Sequence, residues 1–219
     1  MCEEYALETT PDNINFAAAE LDLPCLPEPS VLRRTVKKSD ESDVLANDGN
    51  DIRWITARLG VPKPERHQKA NARVNAGIAN IRHPWYPDWR NLLGTEHRCV
   101  IPATSFIEHN SVEGTYEGWE FALASYKPMF WFAGLWMEWT GVRKVDEGVR
   151  TQNLYAIITT EPNAEVRPIN RSMPVIFRNR EEITTWLTAP AREALRLQRP
   201  LPDATLQFIR RLWDPAGRL

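Results

Sequence analysis

The chain of 219 residues lacks an apolar run long enough to span a membrane, and it lacks internal repeats, low-complexity tracts and Gly/Ser- or Pro-rich linkers. Its opening residues, Met1 to Glu4, show neither the basic nor the apolar stretch of a signal peptide. Cysteines are few, and the three present, Cys2, Cys25 and Cys99, have spacings that suit neither a disulfide framework nor a zinc site. We therefore expect a cytoplasmic protein with reduced thiols and with no membrane association, metal or cofactor.

The sequence also lacks a large net charge, and the formal value of −2 at pH 7 does not by itself indicate a nucleic-acid partner. The distribution of charge along the chain is uneven. Eight lysines and arginines lie between Arg53 and Arg90, where only Glu65 and Asp88 oppose them. This stretch predicts either a local cationic surface or an ordinary solvated loop face, and the residues alone leave both interpretations open.

Tryptophan, in contrast, is abundant. Nine tryptophans are many for this length, and most of them are expected to pack in a core. Trp85 and Trp89 stand beside the basic stretch, where they could stack on unpaired bases or anchor a loop. Their spacing does not decide between these two interpretations.

Short apolar or alternating runs separated by turn-forming residues follow one another from Arg98 onward, which is typical of strands. The charged segment 141–148 is predicted to be a hairpin loop between two of them. The runs are RCVIP, SFIEH, WEFALA, MFWFAGLW, NLYAIITT and MPVIF. Strands in series, with helices towards the chain ends, predict an α+β fold in which a largely antiparallel sheet forms a pseudo-barrel with peripheral helices.

Helices are predicted near both ends of the chain. Asp12 is the expected N-cap of a short helix over residues 13–21. The acidic and polar segment 39–51 shows no periodicity and is predicted to be a surface loop. Three further helices are predicted over residues 180–187, 191–197 and 203–213.

Five short segments occur in a distinctive order along the chain. The chain opens Met1-Cys2, and the other four are N-A-R at 71–73, R-C-V-I-P-A at 98–103 leading to F-I-E at 106–108, F-A-G-L-W at 132–136, and I-I-T-T at 157–160 leading to M-P-V-I at 173–176. In order and approximate spacing they resemble segments of the SRAP (SOS response-associated peptidase) family. The resemblance extends over almost the whole chain and implies a single domain over residues 1–219.

The resemblance implies a reactive role for Cys2, which becomes the N-terminal residue in that family once the initiator methionine is removed. A free α-amine and a β-thiol on one residue form a 1,2-aminothiol. Its amine condenses with an aldehyde to an imine, and its thiol then closes a five-membered thiazolidine ring. A ring-opened abasic deoxyribose presents such an aldehyde. The thiolate is the reactive species, so local electrostatics sets the rate. Without the resemblance, Cys2 would be interpreted as an inert residue near a chain end.

Three more residues match positions that have roles in the family. Glu108 corresponds to a catalytic glutamate that shuttles protons, a task for a carboxyl group within hydrogen-bond reach whose pKa is raised by burial. Asn71 matches an asparagine that positions the N-terminal residue, and Arg73 matches an arginine that contacts DNA phosphate. Spacing alone would instead make them an outward-facing glutamate, a turn residue and a surface ion-pair partner.

The chain departs from the family pattern in its DNA-contacting residues. Glu3-Glu4 replace a Gly-Arg pair, and two carboxylates beside the reactive thiol are expected to raise its pKa and to repel a phosphate backbone. Asn75 stands where the family has a glutamate after N-A-R. The family has a W-G-x-x-P-x-W stretch that supplies stacking tryptophans, and of this stretch the chain keeps only Trp54. We therefore expect weaker DNA contact with a flatter salt dependence.

A second departure concerns the family histidine of an I-H-x-R-M-P segment. Asn170 takes its place, and an amide cannot shuttle protons at neutral pH as an imidazole does. Arg171 precedes the position of the family arginine by one residue and could partly substitute for it. Family chemistry assigns the histidine to stabilising or reversing the crosslink, so its loss is expected to slow those steps without abolishing capture.

The leading hypothesis is a monomer that binds single-stranded DNA and forms a covalent thiazolidine crosslink with abasic sites through Cys2, with autoproteolytic removal of Met1. An alternative is a catalytically degenerate protein of the same fold that binds nucleic acid or a partner without crosslinking. A third is an interaction module whose acidic N-terminus binds a basic protein. On the leading hypothesis the catalytic residues are Cys2, Glu108, Asn71 and Asn170, and the DNA-binding residues are Arg73, Asn75, Trp54 and Arg171.

Overall fold

The computed structural model describes residues 4–28, 30–68, 72–112, 115–125 and 129–214. Strands account for most of the regular structure in these ranges. The strands are β1 (Glu4–Ala6), β2 (Thr35–Lys37), β3 (Glu41–Asn47), β4 (Ile52–Leu59), β5 (Asn80–Ile81), β6 (Arg98–Ala103), β7 (Ser105–Val112), β8 (Thr115–Leu123), β9 (Phe130–Val142), β10 (Val149–Thr160), β11 (Met173–Pro174), β12 (Ile176–Phe177) and β13 (Leu206–Asp214). The α-helices are α1 (Pro11–Glu20), α2 (Arg180–Thr188) and α3 (Ala191–Ala194).

The strands form two sheets. One has five strands in the order β13-β8-β7-β1-β2, all antiparallel. The other has eight strands in the order β11-β10-β4-β3-β6-β9-β12, with β5 beside β10. Because β9 also pairs with β10, the strands β10, β4, β3, β6 and β9 close into a ring, called the barrel below. The predicted α+β class is confirmed, with a largely antiparallel pseudo-barrel and peripheral helices.

The first of two hydrophobic cores is formed by residues of both sheets. Tyr5, Phe106 and Phe121 come from the five-stranded sheet, and Phe132 and Tyr155 come from the barrel. The hydroxyl groups of Tyr5 and Tyr155 are 2.8 Å apart. The ring of Tyr5 also meets that of Phe132 edge-on, with ring centres 5.6 Å apart. Burial of these large rings provides much of the free energy that holds the two sheets together.

The second core lies between the barrel and the helices. Ile14 of α1 and Trp186 of α2 pack in it with Trp54 and Trp131 of the barrel strands. The indole Nε1 of Trp186 donates to the backbone oxygens of Cys99 and Gly134, at 3.0 and 3.2 Å. Its polar atom is thereby satisfied inside an apolar environment, as a buried tryptophan requires.

Alternation along β7 and β8 assigns their residues to two faces of the five-stranded sheet. Phe106 and Phe121 lie opposite each other and point into the first core, which defines the inner face. Glu108 is two residues after Phe106 and shares that face. Ile107 and Glu120, which also lie opposite each other, are on the outer face.

The predicted helices near residues 13–21 and 180–197 are present. The cap of α1 differs from the prediction, because Thr10 and not Asp12 is the N-cap: the hydroxyl of Thr10 accepts from the backbone N–H of Asn13 at 3.3 Å. Pro11 then occupies the first helical position, where its missing N–H costs nothing. None of the helices within the described ranges is long and apolar enough to cross a membrane.

Two segments depart from the sequence prediction. Segment 39–51 was expected to be a surface loop, yet it contains β3, which pairs with β4 and β6 inside the barrel. Its buried Asp43 accepts a hydrogen bond from Thr56 at 2.6 Å, so an acidic residue is accommodated by a partner from the neighbouring strand. Segment 203–213, predicted to be a helix, contains most of β13. Pairing with β8 satisfies its backbone and overrides its helical pattern.

Candidate active site

Glu108 lies in β7 on the inner face, and it is fully buried. Its strand runs between β1 and β8, where Glu4 is opposite Ile107 and Trp119 is opposite Glu108. Glutamate is almost never fully buried without partners, because desolvation of the carboxylate is costly. Glu108 is therefore not the outward-facing glutamate that spacing alone favours.

Asn170 contacts Glu108 directly. Its side-chain Nδ2 donates to Oε2 of Glu108 at 2.7 Å and lies 3.5 Å from the backbone oxygen of His109. The loop that carries Asn170 is anchored, since the backbone N–H of Asn170 donates at 2.9 Å to the oxygen of Val166, a residue of the first core. The structure thus brings together two of the residues that the sequence predicted to be catalytic.

Three buried polar side chains that the sequence analysis missed adjoin this loop. Thr159 is fully buried near the end of β10, and its hydroxyl has no hydrogen-bond partner among the described residues. The hydroxyl of Ser172 also has none within those ranges. The side-chain oxygen and nitrogen of Asn80, which is 7% exposed, likewise have no hydrogen-bond partner among the described residues. Asn80 is aligned with Ile157, two residues before Thr159, so Asn80 and Thr159 share one face of β5 and β10.

These groups surround the two ends of the loop that carries Asn170. The loop leaves β10 just after Thr159 and Thr160, and Ser172 directly precedes β11, which pairs back onto β10. Buried polar groups are nearly always hydrogen-bonded, so unpartnered ones beside a loop that contacts a buried carboxyl group indicate room for bound water or a ligand. A signal was present in the sequence, because Thr159 and Asn80 each directly follow apolar residues, at 154–158 and 78–79 respectively.

The arrangement suits acid–base chemistry. Glu108 supplies a carboxyl group that can accept and donate a proton, and Asn170 holds one oxygen of that group in a fixed direction. The amide of Asn170 cannot itself carry a proton between groups at neutral pH. Within the described ranges, no three His, Cys, Asp or Glu side chains come together as a metal site would require.

Cys2 and Asn71 lie outside the described residues, so their predicted roles remain predictions. Glu4, the first described residue, had been expected to oppose a phosphate backbone. Its side chain is 10% exposed and lies 3.5 Å from Nζ of Lys37. It is also opposite Ile107, on the outer face, so its charge is offset and directed away from the face that carries Glu108.

Two of the predicted DNA-binding residues lie along a groove of about 590 Å³. Arg73 is exposed there, beside Trp89 and Trp139. Asn75 also lines the groove, but its amide is engaged by the protein, since it accepts from the N–H of Lys63 at 2.8 Å and donates to the oxygen of Lys63 at 2.9 Å. Asn75 therefore supports the loop that follows β4, and its contact with DNA remains a prediction.

The other two predicted DNA-binding residues differ in exposure. Arg171 is exposed beside Asn170. Trp54 is only 8% exposed, its Nε1 donates to the oxygen of Pro24 at 2.8 Å, and its ring centre is 5.9 Å from that of Trp131. This placement in the second core gives no support to the prediction that Trp54 stacks on DNA bases.

Part of the basic stretch between residues 53 and 90 is an ion-paired surface. Arg53 pairs with Asp48 at 2.7 Å, and Arg58 pairs with Glu147 at 2.6 Å. Arg66 pairs with Asp88. Arg82 pairs with Glu161 at 3.7 Å. Among the described residues, four of the eight cations are thereby matched by carboxylates, and three of these carboxylates lie outside the stretch and were not counted against it in the sequence.

The two described cysteines differ in reactivity. Cys99 is fully buried in the first core, and burial raises the pKa of its thiol far above the ordinary value. Cys25 is exposed. Because the charged thiolate is disfavoured at Cys99, this cysteine of the R-C-V-I-P-A segment is a core residue and not a nucleophile.

A family model for SOS response associated peptidase (SRAP) matches residues 1–210. The chain therefore belongs to the SRAP family, as its five ordered segments predicted. It is similar to the abasic site processing protein YoaM of Bacillus subtilis (strain 168), with 32% identity over 146 residues that cover 65% of this chain and 60% of YoaM. The abasic site processing protein YoqW of Bacillus phage SPbeta is 32% identical over 148 residues, 65% of this chain and 61% of that protein. The matched segment thus spans less than two thirds of either relative.

Two solved structures have the same fold. A protein from Bordetella bronchiseptica aligns with a TM-score of 0.67 and 18% identity, over 95% of this chain and 100% of its own. A protein from Bacteroides thetaiotaomicron aligns with a TM-score of 0.64 and 19% identity, over 95% of this chain and 92% of its own. At these identities the likeness concerns the fold alone.

Proposed function

We propose that this protein processes abasic sites in single-stranded DNA by capturing the sugar aldehyde with the amine and thiol of Cys2. Membership of the SRAP family and the names of its relatives support this class of substrate. The observation that carries the proposal is the fully buried carboxyl group of Glu108, held by Asn170 at 2.7 Å on the strand next to β1. A proton-transfer group is thus available on the strand paired with Glu4, the first described residue.

Covalent geometry supports the pairing of Cys2 with Glu108. Glu4 is aligned with Ile107, the residue before Glu108. Two peptide units separate Glu4 from Cys2, so their Cα atoms are no more than about 7 Å apart. This limit keeps Cys2 within two residues of β1, the strand that pairs with the strand carrying Glu108.

The proposed capture occurs in two steps. The α-amine adds to the aldehyde carbon, and loss of water from the resulting carbinolamine gives an imine. The sulfur then adds to the imine carbon while the thiol proton passes to the imine nitrogen, which closes the thiazolidine ring. One C–N and one C–S bond form, one water leaves, and nothing is oxidised or reduced. Glu108 accepts a proton from the adding amine and donates one to the departing hydroxyl.

Asn170 acts in this proposal as a positioning residue for Glu108, since it touches the carboxyl group directly. The unpartnered side chains of Asn80, Thr159 and Ser172 would hydrogen-bond the sugar hydroxyl or a neighbouring phosphate oxygen. Removal of Met1 is the necessary first event, because a peptide nitrogen cannot form the imine. Hydrolysis of the Met1–Cys2 peptide bond consumes one water and liberates the α-amine.

The second candidate function is a degenerate protein that keeps the fold without crosslinking. The observation that favours it is Asn170, whose amide replaces a proton-carrying imidazole at the position that contacts Glu108. This candidate predicts binding of single-stranded DNA with no covalent product. The two candidates therefore differ in a single measurable outcome.

The test is intact-mass spectrometry of the protein after incubation with a single-stranded oligonucleotide that carries one abasic site. We expect a species equal to the protein without Met1 plus the oligonucleotide minus one water. Cys2→Ala should abolish it. Glu108→Gln keeps the size of the side chain but cannot exchange the proton, and should slow formation by roughly 10²- to 10⁴-fold.

Glu120→Gln is the matched control. Glu120 is also a buried glutamate, 4% exposed, but it lies on the outer face of β8, where Ser105 and Arg210 each contact it at 2.6 Å. Its replacement should leave the rate of adduct formation nearly unchanged. If protein whose Met1 has been removed forms no adduct, capture is excluded and the degenerate candidate holds. Equal rates for Glu108→Gln and wild type would show that Glu108 is not the acid–base group.

A further inference from the structure

The inner face that carries Glu108 continues across two more strands towards the edge of the five-stranded sheet. Trp119 of β8 lies opposite Glu108, and Arg211 of β13 lies opposite Trp119. Phe208, two residues after the start of β13, lies opposite Phe121 of the first core. Paired residues share a face, so Glu108, Trp119 and Arg211 form one row that ends at an edge strand. We call Trp119, Phe208 and Arg211 the edge platform.

Direct contacts hold the edge platform together. The guanidinium carbon of Arg211 lies 5.5 Å from the ring centre of Trp119, a cation–π arrangement. The ring of Phe208 lies 5.0 Å from that of Trp119 and 6.4 Å from that of Phe121. The indole Nε1 of Trp119 is buried and has no hydrogen-bond partner among the described residues. An aromatic ring, an indole donor and a guanidinium are therefore adjacent.

The edge platform is open to solvent on its outer rim. Phe208 is 48% exposed, which is unusual for a ring that also contacts a core residue. The side chain of Arg211 is 52% exposed, whereas that of Glu117, its ion-pair partner on β8, is 14% exposed. The accessible charge of this pair is therefore the cation. Such a surface can receive an anion and a flat apolar group at the same time.

A nucleotide of an unpaired strand has this combination of groups. Its base has an apolar face that stacks on aromatic side chains, and its phosphate matches the guanidinium fork. A duplex would not fit the requirement, because its bases are already stacked on one another. Trp54, which the sequence suggested as the stacking residue, is buried in the second core, so a different residue must provide a stacking surface for DNA.

We propose that the edge platform binds the nucleotide next to the reactive sugar in single-stranded DNA. The base packs on Phe208, and the phosphate binds Arg211. Trp119 supports both groups, since its ring contacts Phe208 and the guanidinium of Arg211. This inference rests on the proposed function, which identifies the ligand as single-stranded DNA. It predicts that the bound DNA runs from Glu108 across β8 to β13.

The first experiment compares Arg211→Gln with Arg210→Gln. The two arginines are neighbours on β13, and each pairs with a glutamate of β8, but Arg210 is aligned with Glu120 of the outer face. The structural disturbance is therefore similar, and only the face differs. Affinity is measured by fluorescence anisotropy with an unmodified single-stranded oligonucleotide over a range of salt concentrations. Arg211→Gln should weaken binding roughly fivefold and lower the salt slope by about one, while Arg210→Gln should match wild type.

The second experiment tests the base contact with two oligomers of equal length, oligothymidylate and a chain of tetrahydrofuran residues that lacks bases. For each protein, the affinity for oligothymidylate is divided by the affinity for the base-free oligomer. This ratio should be roughly five- to tenfold higher for wild type than for Phe208→Ser, because the variant has lost the ring that receives the base. Ile209→Ser is the control, since Ile209 is 46% exposed on the same strand and lies at the bulge between Phe208 and Arg210. Circular dichroism establishes that each variant is folded.

These experiments test DNA binding by the edge platform separately from crosslink formation by the proposed function. Binding to undamaged DNA requires no aldehyde capture, so a difference between the Arg211 and Arg210 variants supports the edge platform even if no crosslink forms. If crosslinking is intact but the two arginine variants bind equally, the edge platform is excluded while the proposed function stands. An equal preference for bases in wild type and Phe208→Ser would likewise overturn it.

Discussion

Arg98 and Glu108 mark the two ends of one family segment, and both are buried, at 1% and 0% exposure. Arg98 directs its guanidinium to backbone oxygens of Leu93, Trp186 and Ala189 at 2.6 to 3.1 Å. The last two of these lie at the C-terminal end of α2, where unpaired carbonyls favour a cation. Its charged group is therefore occupied by contacts that hold a helix against the barrel.

Glu108 has a different environment. The contact of its carboxyl group with Asn170 comes from a loop, and the polar side chains of Thr159 and Asn80 near that loop have no partners among the described residues. Burial alone does not distinguish the two residues. The type of partner does. Backbone carbonyls at a helix end are typical of a structural role, whereas a carboxyl group held by a loop that adjoins unsatisfied polar side chains fits the chemical role proposed for Glu108.

The largest effect is expected for Arg98→Met. A methionine fills similar volume but leaves the carbonyls of Leu93 and Ala189 without donors, so the free energy of unfolding should fall by about 3–5 kcal/mol. Urea denaturation measures this change. A loss below about 1 kcal/mol would mean that the buried guanidinium contributes little and that the contrast with Glu108 is mistaken.

Asn170→His should alter chemistry more than stability. It restores an imidazole beside Glu108, so reversal of the crosslink should accelerate by roughly tenfold or more and become pH-dependent around about pH 6.5. Rates of release from abasic DNA between pH 5.5 and 8 test this, with Asn170→Ala as the variant that removes the contact without adding a titratable group. A flat pH profile for Asn170→His would contradict a role for position 170 in proton transfer.

Arg143 is a third buried charged residue, and its replacement should change the free energy of unfolding only slightly. It is 4% exposed, donates to the oxygen of Asn75 at 2.9 Å, and has no partner for Nε or Nη2 within the described ranges. Burial, and then the nearby charge of Arg58, lower the pKa of Arg143 to about 10. Arg143→Met should therefore change the free energy of unfolding by less than about 1 kcal/mol, since relief of desolvation offsets the lost hydrogen bond.

Arg143 also packs against two glycines, Gly60 and Gly77, whose backbone φ angles of +117° and +66° are readily accessible only to glycine. Packing against these glycines could make Arg143 more important for stability than its hydrogen bonds suggest, which the Arg143→Met measurement tests. If Arg143→Met proves as costly as Arg98→Met in the same urea titration, the packing of the guanidinium on these glycines matters more than its hydrogen bonds.

The smallest effect on stability is expected for Glu108→Gln. The glutamine oxygen can still accept from Asn170, and removal of a buried charge relieves desolvation, so the free energy of unfolding should change by less than about 1 kcal/mol or rise. Thermal denaturation at pH 7 of the variant and of Glu120→Gln compares the two glutamates. Marked destabilisation by Glu108→Gln alone would assign Glu108 to the fold instead of the site.

Much of the barrel was predictable because its strands are marked by local patterns. The segments around Cys99, Phe132 and Ile157 are apolar runs bounded by turn residues, and each forms a barrel strand. β3 and β13 were missed for one reason. Asp43 and the charged residues of β13 suggest a loop or a helix when only neighbours in sequence are considered, whereas their partners Thr56 and Glu120 come from other strands.

The candidate site was predictable only in part. Glu108 and Asn170 were found through family segments, and the structure joins them with one hydrogen bond. Thr159, Asn80 and Trp119 were missed because an unsatisfied polar atom is a property of three-dimensional packing. Trp54 was assigned to DNA, although the ring lies in the second core, because hydrophobic pattern does not reveal which tryptophan is covered.

The sequence by itself determined the SRAP family and the antiparallel strand-rich fold, and it predicted Glu108 as the carboxyl group of the site, because these depend on residue order and local pattern. Only the tertiary structure decided which buried charge serves the fold, which face carries Glu108, and that Trp119, Phe208 and Arg211 extend that face to the sheet edge. These features depend on the register between strands far apart in the chain. A shift of one residue would turn each of these side chains to the other face.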